Sequence, residues 1–101
     1  MSNRKANRIL SNTELENVAR HFRLLGEPMR LRILQAVCKE PLAVGGIVKA
    51  VGATQANVSK HLALLSAAGI LTREKKGQFV LYGLKDELTL KLCKLVRSPS
   101  N

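Results

Sequence analysis

The stretch ATQANVSKHLALLSAA, residues 53–68, combines a strong helix-start signal with two chemically different faces. Thr54 can cap a helix because its hydroxyl can accept a hydrogen bond from a backbone N–H two or three residues later, and no glycine or proline interrupts the segment before Gly69. The spacing i, i+4, i+7 places apolar side chains on one side: Val58, Leu62 and Leu65. This pattern predicts an amphipathic helix whose apolar stripe faces a core.

The opposite side of the same helix is polar in its first turns, which carry Gln55, Asn57, Ser59 and Lys60. These side chains can donate hydrogen bonds to base edges and phosphates, or accept them from bases. In helix-turn-helix proteins, the N-terminal part of the second helix enters the major groove of DNA. We therefore predict that this helix contacts DNA, with Thr54 at its start among the contacting residues.

The segments on either side predict a mainly helical domain. Ser11 and Glu14 have the spacing of a capping box, and Gly26 followed by Pro28 is the usual order where one helix ends and the next begins. After Gly69 the apolar period changes to two, which indicates strands. The predicted order is four helices, two strands and a C-terminal helix, with approximate bounds 11–25, 28–38, 42–51, 54–68, 70–74, 78–83 and 84–96.

The two predicted strands form a hairpin in which Gly77 supplies the positive φ of the turn. Basic side chains are expected to cluster at its tip: Arg73, Lys75 and Lys76. One interpretation is a solvated loop. The other is DNA contact, because a basic hairpin directly after a recognition helix can reach phosphates or the minor groove. The combined pattern predicts a winged helix-turn-helix, mainly α with a small β-hairpin.

The chain of 101 residues is strongly basic, with 17 Lys and Arg against 7 Asp and Glu and a formal net charge of +10. A small basic domain favours a polyanionic partner, nucleic acid first and an anionic membrane surface second. Hydrophobic residues make up 46% of the chain and aromatic residues only 3%, which favours a core of packed helices. No apolar run is long enough to span a bilayer and no signal-peptide pattern is present, so a cytoplasmic protein is expected.

One domain is predicted over residues 11–97, between a flexible basic arm at 1–10 and a tail at 98–101. The first helix carries an apolar stripe formed by Leu15, Val18, Phe22 and Leu25, of which the first three are predicted to face a partner. The last helix carries a stripe that includes Leu88, Leu92 and Leu95. The last helix is apolar on other sides as well, so a single packing partner cannot bury all of it. A second subunit could.

Three phrases in this order of elements resemble the arsenic-repressor family of bacterial transcriptional regulators, ArsR/SmtB: LLGEPMRLRIL at 24–34, NVSKHLALLSAAGIL at 57–71 and KKGQFVLYGL at 75–84. The resemblance implies a homodimer whose first and last helices form the interface. It also implies binding to an inverted-repeat operator and repression until an inducer weakens that binding. The implied DNA contacts include His61 beside the polar positions already named. His61 also lies close to the apolar stripe, so a packing or hydrogen-bonding role stays open.

The inducer is not evident from the residues. The resemblance implies that many members bind a metal, either through cysteines on the helix before the recognition helix or through carboxylates and histidines on the last helix. Here the matching residues 42–46 contain no cysteine, and the last helix offers Asp86 and Glu87 without a histidine. No metal or other cofactor is therefore expected. Cys38 and Cys93 remain, and the resemblance includes a subgroup that links a second-helix and a last-helix cysteine under oxidants or reactive sulfur. Inert core thiols, a redox or polysulfide switch, and a soft-metal or metalloid ligand all stay open.

Two other classes of function were considered. A winged helix can also serve as a protein-interaction or RNA-binding module. An enzyme is not expected, because no nucleophile, base and orienting group come together in the sequence.

Overall fold

The computed structural model describes residues 9–85 and 87–97, so the predicted arm at 1–10 is described only at its last two positions and the predicted tail at 98–101 lies outside. Within the described ranges the chain forms five helices and three strands. In chain order these are α1 Asn12–Leu25, α2 Pro28–Ala36, β1 Leu42–Ala43, α3 Val44–Val51, α4 Gln55–Ala67, β2 Leu71–Lys76, β3 Phe79–Leu84 and α5 Leu88–Val96.

Three of the five helices in the described ranges, α1, α2 and α4, begin with a side-chain cap. The predicted capping box is present at α1: Ser11 Oγ accepts from the Glu14 N–H at 3.1 Å, and Glu14 Oε1 accepts from the Ser11 N–H at 2.8 Å. At α4 the Thr54 hydroxyl accepts from the Asn57 N–H at 3.1 Å. The cap of α2 is Glu27, whose carboxylate accepts from the Arg30 N–H at 3.0 Å. Each bond satisfies a backbone donor that has no partner within its own helix.

The sheet has three strands where the sequence predicted two. Residues 42 and 43 were predicted to begin the third helix, and that prediction is wrong: Leu42 pairs with Tyr82 and Ala43 with Leu81, which gives the antiparallel order β1-β3-β2. The short strand covers an edge of β3 that would otherwise expose unpaired backbone groups. Gly83 permits the approach, since a Cβ there would lie 3.1 Å from Pro41 Cγ.

The hairpin, the end of α2 and the start of α5 also differ from the predicted bounds. The turn contains only residues 77 and 78, and Gly77 has a φ of +61°, as a two-residue turn with a first-position glycine requires. Lys75 and Lys76 therefore lie in β2 rather than in a loop. Helix α2 ends before Cys38, and α5 begins four residues later than predicted because Leu84 pairs with Leu71 in the sheet.

The core lies between α2, α3, α4 and the base of the sheet. Its buried apolar residues come from every one of these elements and include one residue of α1: Leu25, Ile33, Leu34, Val37, Ile47, Val58, Leu62, Leu65, Ile70 and Leu71. All three residues of the predicted α4 stripe belong to it. The helices of the described ranges are all too short or too polar to cross a bilayer.

Candidate nucleic-acid interface

Helix α4 is anchored on one side and exposed on the other. Its apolar stripe is buried in the core, while Gln55, Asn57, Ser59 and Lys60 are all exposed on its first two turns. The turn that leads into α4 is set by Gly52, which has a left-handed backbone conformation with φ +69° after α3. The first turns of a firmly held helix therefore present amide, hydroxyl and ammonium groups to solvent, the groups that hydrogen-bond bases and phosphates.

The strand β2 carries the basic residues predicted for the wing. Arg73, Lys75 and Lys76 are exposed, but Arg73 lies in the middle of the strand opposite Tyr82, so the expectation that all three cluster at the tip is wrong for Arg73. Alternate residues of a strand share a face, which places Arg73 and Lys75 on one side and Lys76 on the other. The Arg73 Nε donates to the Tyr82 hydroxyl at 3.4 Å, and this contact holds the guanidinium along the sheet.

His61 occupies the buried side of α4. The residue is only 6% exposed, and its Nδ1 accepts a hydrogen bond from the Arg30 Nε at 3.1 Å. This is the packing and hydrogen-bonding role that the sequence left open for His61. A ring so buried is not available to a phosphate, and we therefore leave His61 out of the DNA-contacting set.

A second exposed surface runs along α1 and α5. We call it the α1–α5 face and define it by Leu15, Val18, Phe22, Leu88, Leu92 and Leu95. Phe22 is 55% exposed and Leu95 is 79% exposed, and only Leu92 packs partly against the core. Four of the six side chains, Val18, Phe22, Leu88 and Leu92, line one groove between the two helices. Contiguous exposed apolar side chains of this kind are typical of protein–protein interfaces.

The two cysteines are both exposed free thiols, so neither is a core residue of the single chain. Cys38 lies just beyond the end of α2. Cys93 lies on α5 and lines an apolar cavity of about 330 Å³ together with Phe22, Leu31 and Arg97. Residues 9–85 and 87–97 contain no group of three or more His, Cys, Asp or Glu side chains able to hold a metal ion, and Asp86 lies outside these ranges.

Sequence reasoning missed two residues that shape this interface. The sequence gives Arg30 no role of its own, yet it contacts His61, 31 positions away in the chain. Tyr82 was taken only as part of a strand, yet it positions Arg73. Neither pairing leaves a local signal, because both depend on how separate elements come together. A two-residue turn at residues 77 and 78 places Arg73 opposite Tyr82, so the correct hairpin register would have predicted that pair.

Comparison with known proteins identifies related sequences. Residues 27–73 match the family model described as bacterial regulatory protein, arsR family. A probable mercury resistance operon repressor from Streptomyces lividans is 31% identical over 85 residues, covering 84% of this chain and 68% of that protein. The nodulation protein NolR of Rhizobium meliloti is 30% identical over 79 residues, covering 78% of this chain and 65% of NolR. The chain thus spans about two thirds of NolR, and it spans 48% of the repressor SmtB of Mycobacterium tuberculosis.

Solved structures show the same fold. The crystal structure of NolR from Sinorhizobium fredii superposes with a TM-score of 0.78 at 28% identity, covering 88% of this chain and 92% of that one. The homodimeric winged helix-turn-helix DNA-binding domain of a possible ArsR-family regulator from Mycobacterium bovis superposes with a TM-score of 0.74 at 27% identity, covering 88% and 85%.

The fold is therefore a winged helix-turn-helix, mainly α with a small sheet, as the sequence predicted. The chain belongs to the ArsR family of bacterial regulatory proteins, which confirms the resemblance drawn from its three sequence phrases. The family consists of transcription regulators and not of enzymes, in agreement with the sequence prediction.

Proposed function

We propose that this protein is a cytoplasmic, homodimeric transcriptional repressor that binds an inverted-repeat operator in double-stranded DNA. The observation that carries the proposal is helix α4, whose apolar side is buried while Gln55, Asn57, Ser59 and Lys60 are exposed on its first turns. A helix held in this way can enter a major groove with little loss of conformational freedom, and residues at its N-terminal end are the ones that reach base edges in such proteins. Thr54 sits at the same end as its cap.

The basic residues of β2 supply the part of the binding that does not depend on sequence. Arg73, Lys75 and Lys76 are exposed on the strand that follows α4 in the chain, and the whole chain carries a net charge of +10. Phosphate contacts by Lys and Arg release counterions from DNA and provide much of the affinity, whereas base contacts provide the specificity. We assign these three residues to phosphate or minor-groove contact and the α4 residues to base readout.

The α1–α5 face supports the dimer. It leaves large apolar side chains in solvent, and a second copy of the same face would bury them about a two-fold axis. A related domain of M. bovis is described as homodimeric. Such a dimer would require an inverted-repeat operator, since a two-fold symmetric protein binds a site of the same symmetry.

Selection from random double-stranded DNA tests the proposal. We expect an enriched inverted repeat whose two halves are separated by about one helical turn, as two symmetry-related recognition helices require. The enriched site should bind a dimer by sedimentation analysis. If no sequence is enriched, and RNA or a protein is retained instead, the winged helix serves as an interaction or RNA-binding module and the repressor proposal is wrong.

We further propose that the repressor is released when Cys38 and Cys93 are oxidised. With peroxide, the two thiols would form a disulfide by losing two electrons and two protons, and the peroxide would be reduced to water. With a polysulfide, two of its sulfur atoms would leave as sulfide and any remaining ones would stay in the bridge between the two cysteines. The supporting observation is that both thiols are free and exposed, and that Cys93 lies on α5 next to Phe22 of the α1–α5 face. A bridge there would strain the dimer.

The alternative inducer is a soft metal or metalloid bound by the same thiols. Relatives are named as mercury and cadmium resistance regulators, which keeps this alternative open. Titration of the selected operator after treatment with polysulfide, peroxide, or Hg²⁺ distinguishes the two. Cys38→Ser and Cys93→Ser should each abolish the response to oxidants. An unchanged response in both variants would contradict any role for the thiols.

A further inference from the structure

Arg30 on α2 is hydrogen-bonded through its side chain to two other helices, and through its backbone to the cap of its own helix. Its Nε donates to His61 Nδ1 on α4 at 3.1 Å, and its Nη1 donates to the Leu24 carbonyl oxygen in the last turn of α1 at 3.2 Å. Its backbone N–H donates to the Glu27 carboxylate, which caps α2, at 3.0 Å. One side chain thus joins the end of α1 to the middle of α4.

Arginine is the residue type that can make this connection. The guanidinium is planar and carries donors that point in fixed, different directions, so it can serve an acceptor on α1 and another on α4 together. A lysine would keep the positive charge but would present only a single ammonium group. Because His61 accepts the hydrogen bond from Arg30 at Nδ1, its ring proton lies on Nε2.

The local charges favour the same arrangement. The Glu27 pKa is lowered, chiefly because its carboxylate accepts the Arg30 backbone N–H. Glu27 therefore stays ionised at neutral pH close to the Arg30 guanidinium. Arg32, two positions along the same helix, is exposed and makes no side-chain hydrogen bond or ion pair within the described part of the chain.

The two ends of this connection belong to different functional parts of the molecule. Helix α1 carries Leu15, Val18 and Phe22 of the α1–α5 face, and α4 carries the exposed polar residues Gln55, Asn57, Ser59 and Lys60. The apolar stripe of α4 holds the helix in the core, but nonpolar contacts are not directional and leave rotation and tilt less well defined. The hydrogen bond to His61, six residues after the first residue of α4, is directional and so restricts the rotation and tilt of that helix.

We infer that Arg30 is a positioning residue that fixes the orientation of α4 relative to α1, and so sets the geometry of the two recognition helices in the dimer. The inference rests on the proposed DNA-binding function and deepens it: Arg30 contributes to operator recognition without touching DNA. Without Arg30, α4 can shift relative to α1 within each chain. The two copies of α4 in the dimer then match the spacing of the two operator halves less often.

Operator binding by Arg30→Gln tests this inference, with Arg32→Gln as the matched control that removes the same charge from the same helix. The probe is the inverted repeat obtained by selection, compared with a random-sequence duplex of equal length. We expect Arg30→Gln to weaken operator binding about tenfold, within the range found for residues that couple two sites without contacting either ligand. Arg32→Gln should change it by no more than about twofold. Arg30→Lys should behave like Arg30→Gln, because charge alone does not restore the two bonds.

A double-mutant cycle shows whether Arg30 acts through His61. His61→Leu removes the acceptor, whereas His61→Gln keeps an amide oxygen that can accept from the guanidinium. We expect His61→Leu and Arg30→Gln to weaken operator binding by similar factors, and the double variant to be no weaker than either single variant. His61→Gln should recover part of the affinity.

Two measurements without DNA keep the inference separate from the proposed function. The ¹⁵N shifts of the His61 ring should report a neutral Nε2–H form in the wild-type protein and in Arg32→Gln, and should change at Nδ1 in Arg30→Gln. Amide hydrogen exchange in α4 should accelerate in Arg30→Gln while exchange in β2 and β3 stays the same. If selection yields no operator, the proposed function fails, and these two measurements still support or overturn the positioning role.

Three results would overturn the inference. The first is full recovery of operator affinity in Arg30→Lys. The second is an equal loss for operator and random DNA, with the salt dependence of log K reduced by about one, which would make Arg30 a phosphate contact. The third is unchanged exchange of α4 amides and unchanged His61 ring shifts in Arg30→Gln.

Discussion

The core around α4 and the α1–α5 face differ in how completely one chain buries apolar side chains. Leu65 on α4 is 0% exposed, and the stripe it belongs to is held by α2, α3 and the sheet. On α1 and α5, by contrast, Phe22 and Leu95 remain largely in solvent. The difference is the one that the proposed function requires: α4 is positioned within each chain, whereas the proposed dimer interface on the α1–α5 face is left for a partner to cover.

The largest expected effect comes from truncating the α4 stripe. Leu65→Ala should lower the free energy of unfolding by about 2–5 kcal/mol, because it leaves a cavity in a closed core. Leu64→Ala is the matched control, since the neighbouring leucine on the same helix is 41% exposed, and it should cost less than about 1 kcal/mol. Urea denaturation at one fixed protein concentration measures both. Equal losses would mean that α4 is not anchored by its stripe.

A charge on the α1–α5 face tests the other side of the comparison. Phe22→Glu should convert the dimer to monomers at micromolar concentration and weaken operator binding by about 100-fold or more, because two linked half-site contacts become independent. Thr13→Glu adds the same charge on the opposite side of α1 and should leave the dimer intact. Sedimentation equilibrium and operator titration provide the readouts. A Phe22→Glu dimer with full affinity would contradict the proposed interface.

Base readout by α4 is expected to have a smaller but sequence-specific effect. Asn57→Ala should cost roughly 1–3 kcal/mol on the selected operator and almost nothing on random-sequence DNA, because it removes a base contact and no charge. Competition binding with the two duplexes measures the difference. Similar losses on both duplexes would show that Asn57 contacts the backbone rather than a base.

The wing is expected to contribute charge rather than sequence information. Lys75→Ala should weaken binding to all sequences and reduce the slope of log K against log salt by about one, since one phosphate contact is lost. Lys91→Ala on α5 removes the same charge away from β2 and should leave the slope unchanged. A changed base preference in Lys75→Ala would instead make the wing a reader of sequence.

The smallest effect concerns the cap of α2. The Arg30 backbone N–H lowers the Glu27 pKa, so the ionised carboxylate stabilises the folded state at neutral pH and this contribution is lost as pH falls through the lowered pKa. Glu27→Gln should therefore have a lower Tm at neutral pH and a shallower decline of Tm on acidification. Glu16→Gln, an exposed carboxylate on α1 without a capping role, serves as control. Parallel pH profiles for wild type and Glu27→Gln would contradict this account.

Most of the helices could be predicted because their signals are local. Ser11 with Glu14, Thr54 and Gly52 act within a few residues, and the stripe of α4 depends only on helical spacing. The strand at residues 42–43 could not be found in this way, because its partner is Tyr82–Leu81 and its own sequence also suits a helix. The hairpin was placed correctly along the chain, but its turn was assigned three residues and not two.

In the candidate site, too, the features with local sequence signals could be predicted and those that depend on distant residues could not. The polar residues on the first turns of α4 were predicted one by one, and the structure leaves each of them exposed. Their contact with DNA remains a prediction, as do the dimer interface and the role of Cys38 and Cys93. The role of Arg30 was missed altogether, because its partners lie on two other helices.

By itself, the sequence determined the winged helix-turn-helix fold, the family and the polar composition of the first turns of α4, since these depend on local spacing and on the types of residue present. Only the tertiary structure decided that His61 faces inward to Arg30, that a third strand joins the sheet, and that Phe22 of α1 and Leu95 of α5 stay largely in solvent. These features depend on which elements, far apart in the sequence, pack against each other. They also depend on whether one chain is large enough to bury its own apolar groups.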